Sequence, residues 1–246
     1  LAVLFSLSLF VGYGFIFGAN QANTIVDALN HNYGVPTNYL SIGITVIAGI
    51  VVLGGLRGIA RFSAVVVPFM GLAYVIVALG ITLINFSAVP AMLYDIITSA
   101  FGLQEAGAGA FGAAIKNGIQ RGLFSNEAGS GSVPQAAASA SPQPNHPATQ
   151  GYVQMLGVFL DTMVLCTSTA VIILLADTGS SVGMEGIRLT QNAMEFHLGG
   201  FGSHFVTAAI TLFAFTSIVA NYVYAESNLH FFKLDNKAGR TVFTLA

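Results

Sequence analysis

Charge is the first thing this sequence lacks. Of 246 residues only 7% are charged and 54% are hydrophobic, whereas an ordinary soluble domain carries about 25% charged residues. With a mean hydropathy of +0.76, the chain reads as a polytopic membrane protein, since a soluble surface could not be built from so few charges. Basic clusters are missing too, and the net charge is −2, so nothing offers a phosphate backbone its counter-charge. A single cysteine, Cys166, excludes an internal disulfide; within its apolar run it reads as packing. The start has neither Met nor a charged leader, and no cleavage region follows, which argues against a signal peptide. Because Leu1 and the segment Thr241–Ala246 both lie in apolar runs, the chain is expected to be truncated at both ends.

A spanning helix needs roughly 20 apolar residues. The first candidate runs from Leu1 to about Val26, its second half crowded with Asn20, Gln21, Asn23 and Thr24. Asn20, Asn23 and Thr24 share one helical face, with Gln21 beside it. The breakers from Asn30 to Pro36 end it. Further spans are expected over about Asn38–Leu56, Ser63–Ile84, Tyr152–Leu175 and Gly202–Tyr224. Pro68 is expected to start or kink its helix. Residues Ala88–Gln104 read as a helix lying along the surface or over the next element. The stretch Asp177–His197 reads as a polar outside loop, and Glu226–Arg240 as a polar closing segment. Lys and Arg in the short loops place Arg57, Arg61, Lys233, Lys237 and Arg240 on the cytoplasmic side, with about six crossings.

One stretch does not fit the apolar background: Arg121-Gly122-Leu123-Phe124-Ser125-Asn126-Glu127-Ala128-Gly129-Ser130-Gly131-Ser132, between two runs of small residues. A carboxylate at bilayer depth costs about 2.5–3.5 kcal/mol even on the lenient insertion scale. Non-helical backbone is tolerated there only against protein or a watery cavity. A helix is therefore expected to break here and line a polar site. Gly122, Gly129 and Gly131 supply backbone freedom, and Ser125, Asn126, Ser130 and Ser132 can cap the ends. Broken ends present carbonyls to cations and N–H groups to carboxylates, the device of amino-acid transporters. Arg121 and Glu127 can hold the break open or pair with each other. Asp161, in the middle of a span, is a functional candidate by default, either paired with Arg121 or Lys116 or near a cation. Thr216 and Ser217 are adjacent hydroxyls in an apolar span; they either offer oxygen to a hard alkali cation or bond back to the preceding turn.

The sequence Gly122-Leu123-Phe124-Ser125-Asn126-Glu127-Ala128-Gly129 resembles the signature of the sodium:alanine (alanine or glycine:cation) symporter family, of the amino acid–polyamine–cation superfamily. Asn20-Gln21-Ala22-Asn23, Gly54-Gly55-Leu56, Val67-Pro68-Phe69-Met70 and Phe213-Ala214-Phe215-Thr216 also look like that family, in its order and over nearly the whole chain. The resemblance implies an all-α, five-plus-five inverted-repeat bundle of the leucine-transporter type with one broken helix. Residues 1–246 would form one membrane domain, about 1–85 closing a first repeat and about 106–246 opening a second. It implies sodium-coupled symport of a small neutral amino acid in a multi-pass protein of the cell membrane, no enzymatic role, and no cofactor besides the co-transported sodium. Gln21, Phe124, Ser125, Asn126, Ser217 and Asn221 would then face substrate. The Phe213 carbonyl, Thr216 and Ser217 would hold sodium, and Arg121, Gly122, Glu127, Gly129, Gly131 and Asp161 would shape the break. Ser217 stands where the family commonly has Thr, and Asn221 where alanine-binding members have Trp, so glycine, serine and glutamine stay open beside alanine. Two other classes remain: a membrane-embedded hydrolase using Ser125 or Ser130 with His146 or Glu127, although no Gly-x-Ser-x-Gly elbow occurs, and an ion channel.

Overall fold

The computed structural model describes residues 1–53, 56–101, 108–138, 140–176, 184–234, 236, 239 and 243; of residues 53, 56–62, 108–111, 113, 114 and 230 it describes the backbone alone. Gly54, Gly55, Lys237 and Arg240 lie outside the described residues. All described elements are helical, with no strand among the described residues. The helices are α1 (Ala2–Tyr33), α2 (Thr37–Leu53), α3 (Leu56–Ile84), α4 (Val89–Ala100), α5 (Ala108–Ser125), α6 (Glu127–Ser130), α7 (Val133–Ala138), α8 (Pro147–Leu175), α9 (Ile187–Leu198) and α10 (Gly200–Phe231). Four described stretches are long and apolar enough to cross a membrane: Ala2–Tyr33, Ser63–Ile84, Pro147–Leu175 and Gly200–Leu229. The expected second span is a shorter apolar helix, Thr37–Val52. Two compact units form, residues 1–72 with 181–246, and residues 73–180.

In the first unit α10 packs along α1, α2 and α9. Leu9, Tyr13 and Ala225 are buried together, with Phe10, Phe17, Tyr224 and Phe243 around them. Gly14 permits this approach: a Cβ there would lie 3.2 Å from the Phe243 ring and 3.5 Å from the Ala225 Cβ. α1 includes a π-helical segment, Gly12–Phe17, and continues past the expected end near Val26 to Tyr33. Its amides did not fray it, because Ile25, Val26 and Ala28 are buried and anchor the last turns. Gly34, at φ 66°, closes the helix with its N–H on the Asn30 carbonyl at 2.8 Å, a left-handed stop that glycine takes without strain.

The expected polar loop Asp177–His197 needs correction over its second half. Ile187–Leu198 is a helix whose Thr190, Gln191, Ala193 and Met194 are buried. These positions follow helical spacing, and the amide nitrogen of Gln191 finds its partners on neighbouring helices. Gln191 Nε2 donates to the Ala28 carbonyl at 2.9 Å and to Thr207 Oγ1 at 2.7 Å. At the rim, Arg188 Nε and Nη2 both reach Asp27 Oδ1, at 2.9 and 2.5 Å. Hydrogen bonding to Asp27, together with its negative charge, raises the guanidinium above its ordinary range. The turn into α10 depends on Gly202, where any Cβ would overlap the Met194 carbonyl. The last span is also longer than expected, helical from Gly200 through Glu226 to Phe231. Asn228 is buried there and takes a hydrogen bond from Ser6 Oγ at 2.6 Å.

In the second unit, α4 follows a short 3₁₀ turn, Phe86–Ala88, and α8 begins with His146 as N-cap and Pro147 at its first position, a combination suited to a helix start. α8 carries a second π-helical segment, Phe159–Cys166. Its outward residues, among them Tyr152, Met155, Leu156 and Met163, are large, apolar and exposed, as lipid-facing positions require. Pro68 lies inside α3, which begins at Leu56, so of the two expected placements it takes the internal one. There it removes one backbone hydrogen bond from the ladder.

Candidate functional site: a broken helix and a hydroxyl pair

The helix break lies within the second unit. α5 ends at Ser125, and Asn126 is extended, with φ −126° and ψ 156°. A single turn, Glu127–Ser130, follows; Gly131 then turns left-handed at φ 86°, and α7 starts at Val133. Glycine at 131 avoids the roughly 1–2 kcal/mol that a Cβ costs in this conformation. Gly129 is required for another reason, because its added Cβ would overlap the Leu123 carbonyl and Cα. The one-turn helix is thus folded directly onto the end of the helix before it.

Asn126 holds the two pieces together. Its Oδ1 accepts the Gly129 N–H at 2.7 Å, while its Nδ2 donates to the Gly122 carbonyl at 3.1 Å and to Thr162 Oγ1 at 3.2 Å. One amide therefore satisfies an orphan donor of the restarting helix and an orphan acceptor of the ending one. The peptide groups at the break are accordingly less open to ligands than a bare interruption would be. Ser130 Oγ donates to the Asn126 carbonyl at 3.1 Å. Ser132 is fully buried; its N–H reaches the Glu127 carbonyl at 3.1 Å, and its carbonyl accepts from Gln135 and Ala136.

The π-helical segment of α8 packs against α5. Ser125 Oγ donates to Asp161 Oδ2 at 2.6 Å and lies 3.0 Å from Cys166 Sγ. Because the single hydroxyl proton goes to the carboxylate, the thiol is left to donate to the hydroxyl oxygen. Asp161 and Cys166 are five residues apart, the spacing that i→i+5 hydrogen bonding brings onto one face. The expected cationic partners of Asp161 are not used. Lys116 and Arg121 are exposed, and among the described residues the ion pair is Arg188–Asp27. A serine hydroxyl, aligned by the π segment, takes the place expected for a cation. Phe124 is exposed, and Gly122 lies one turn before the break.

The remaining candidates lie in the first unit. On α10, Thr216 Oγ1 and Ser217 Oγ both donate to the Phe213 carbonyl, at 2.8 and 3.0 Å. Three oxygens thus cluster on one turn, with the hydroxyls bonded back as the local alternative anticipated. Asn221, one turn beyond Ser217, is 7% exposed and makes no side-chain hydrogen bond among the described residues. Gln21 is half-buried on α1, which packs against α10. His146, considered above as a base, accepts the Ala148 N–H as a helix cap at 3.1 Å.

Sequence reasoning assigned no role to Thr162 or to the cluster of Asn32, Ser203, His204 and Thr207, and read Cys166 as packing, whereas it is exposed beside Ser125. In that cluster Ser203 Oγ donates to Asn32 Oδ1 at 3.0 Å, and Asn32 Nδ2 reaches Thr207 Oγ1 at 3.1 Å. The hydroxyls recurring along α10 were the available signal.

Residues 1–246 match the profile of the sodium:alanine symporter family. A protein named uncharacterized transporter YaaJ, from Escherichia coli strain K12, is 46% identical over 241 residues, covering 96% of this chain and 51% of the relative. The probable sodium/glutamine symporter GlnT of Bacillus subtilis strain 168 is 39% identical over 245 residues, covering 99% and 50%. A sodium/proton-dependent alanine carrier protein of Bacillus sp. strain PS3 is 36% identical over 239 residues, covering 92% and 53%. The chain spans about half the length of these relatives. With its helical apolar segments and its match from first residue to last, this chain is a membrane protein belonging to the sodium:alanine symporter family.

Proposed function

We propose that the full-length protein couples sodium entry to uptake of a small neutral amino acid across the cell membrane, within a five-plus-five inverted-repeat bundle. The observation that carries this reading is the interruption at Asn126, an extended residue between two helical pieces in an otherwise apolar chain. Gln21, Phe124, Ser125, Ser217 and Asn221 would contact substrate. Asn126 would act chiefly as the clamp of the break, its amide being engaged on both sides. The Phe213 carbonyl with Thr216 and Ser217 would take sodium once the two hydroxyls rotate away from the carbonyl they now share. Relatives named for alanine and for glutamine support a neutral side chain. A buried Asn221 favours a substrate that can return a hydrogen bond, such as serine or glutamine.

One cation moving down the membrane potential supplies about 2.3 kcal/mol per 100 mV, roughly a fifty-fold concentration ratio. The test is uptake of labelled alanine, glycine, serine and glutamine by the full-length protein in proteoliposomes. Uptake is expected to collapse when choline replaces sodium; uptake indifferent to that exchange overturns the reading.

A further inference from the structure

A side-chain amide carries one acceptor oxygen and two N–H donors, and each needs a group of the opposite kind. Asn32, near the end of α1, finds all three partners on α10. Its Oδ1 accepts from Ser203 Oγ at 3.0 Å. Its Nδ2 reaches Thr207 Oγ1 at 3.1 Å and His204 Nδ1 at 3.0 Å. Thr207 Oγ1 is fully engaged: it donates to the Ser203 carbonyl at 2.7 Å and accepts from Gln191 Nε2 at 2.7 Å. Ser203, Thr207 and Gln191 are buried, whereas His204 is exposed. The donors around the imidazole fix its tautomer. Nδ1 accepts from Asn32, and the ring hydrogen sits on Nε2. Tyr33 stacks on the ring, with centroids 5.4 Å apart and planes 18° apart, and its hydroxyl lies 3.2 Å from Nδ1.

We propose that neutral His204 locks the Tyr33 end of α1 to α10, and that a proton taken from solvent at Nδ1 opens the lock. The new N–H bond puts a hydrogen where the Asn32 N–H already points, and the ring gains one positive charge. The Tyr33 hydroxyl can rotate and accept from the charged ring, which keeps its place over the aromatic face. The Asn32 amide has no such freedom. Turning it over would set Oδ1 against Thr207 Oγ1, whose hydrogen the Ser203 carbonyl holds. The amide must leave, and the three hydrogen bonds that it makes between the two helices go with it. The same two helices carry Gln21 and the turn from Phe213 to Ser217, so the lock acts on the pair that presents those groups. The other titratable or charged groups on the elements packed against this end of α10 are Asp27, His31 and Tyr33 on α1, Tyr39 on α2, and Arg188, Glu195 and His197 on α9. Asp27 and Arg188 pair with each other.

The experiment follows the thermal midpoint of the full-length protein in detergent from about pH 8 to about pH 5.5, a range over which an imidazole ordinarily gains its charge. This readout does not depend on what the protein carries. The parent is compared with His204→Gln, whose side-chain oxygen accepts from Asn32 without titrating, and with Asn32→Leu, which removes the donor. On acidification the parent should lose about 2–4 °C more than either variant. His31→Gln and His197→Gln should keep the acid loss of the parent. Equal losses in the parent and His204→Gln, within about 1 °C, overturn the proposal, as does a profile flattened by His31→Gln or His197→Gln in place of His204→Gln. Should His204→Gln fail to fold, Asn32→Leu decides: a flattened profile supports the lock, and an acid loss equal to that of the parent overturns it.

Discussion

Replacing Asn126 by alanine removes three hydrogen bonds at one point of the chain. The lost N-cap on Gly129 costs about 0.5–2 kcal/mol. The Gly122 carbonyl and Thr162 hydroxyl lose a donor, and a polar group left unmet costs about 1–3 kcal/mol when buried. Asn126 is only half-buried, so water recovers part of this, and the sum is about 2–4 kcal/mol. At roughly 2 °C per kcal/mol for a large domain, the melting midpoint of the full-length protein in detergent should fall by about 4–8 °C, read by thermal-shift size-exclusion chromatography. Thr162→Val removes one of the three bonds and should cost about 0.5–1.5 kcal/mol. Asn126→Asp keeps the acceptor for Gly129 but loses both donors, so it should fall between the two. If Asn126→Ala shifts the midpoint no more than Thr162→Val does, the amide is not the clamp of the break.

Gly129→Ala drives a methyl into the Leu123 backbone; overpacking of this kind costs about 1–3 kcal/mol, and uptake should fall in step with the lost thermal stability. Gln191→Leu strips the buried bridge between α9, the Ala28 carbonyl and Thr207, an expected loss of about 1–3 kcal/mol visible as earlier melting. Thr216→Val keeps the shape of α10 but removes one oxygen; half-saturating sodium for uptake should rise by about tenfold, with a smaller change in the substrate KM.

The location of the break was legible because polar residues and glycines crowd into an apolar chain, and only a few backbone arrangements reconcile them. Its internal wiring was not, because the same Asn126 could have been read as a ligand, a cap or a clamp until Gly122, Gly129 and Thr162 were brought around it. Asp161 invited pairing with a cation from charge alone. Lys116 and Arg121 lie on the same helix as Ser125, but only Ser125 occupies the end that the π segment meets. Ile187–Leu198 was concealed by its polarity: Thr190 and Gln191 look like loop residues, yet both are buried, and α1 and α10 supply partners for the Gln191 amide nitrogen. The hydroxyl pair on α10 was read in both of its possible uses, and the back-bonded one is seen.

The π segment of α8 works as a one-residue insertion in a helix that would otherwise keep a regular repeat. Deleting a single residue between Asp161 and Cys166 would leave a segment still long and apolar enough to insert. Everything on one side of the deletion would then swing by about 100° about the helix axis, carrying Asp161 away from the thiol with which it now shares Ser125. Length-neutral changes there should be far better borne than indels, and a gap placed in this octet when relatives are superposed marks a change of geometry rather than a loose end.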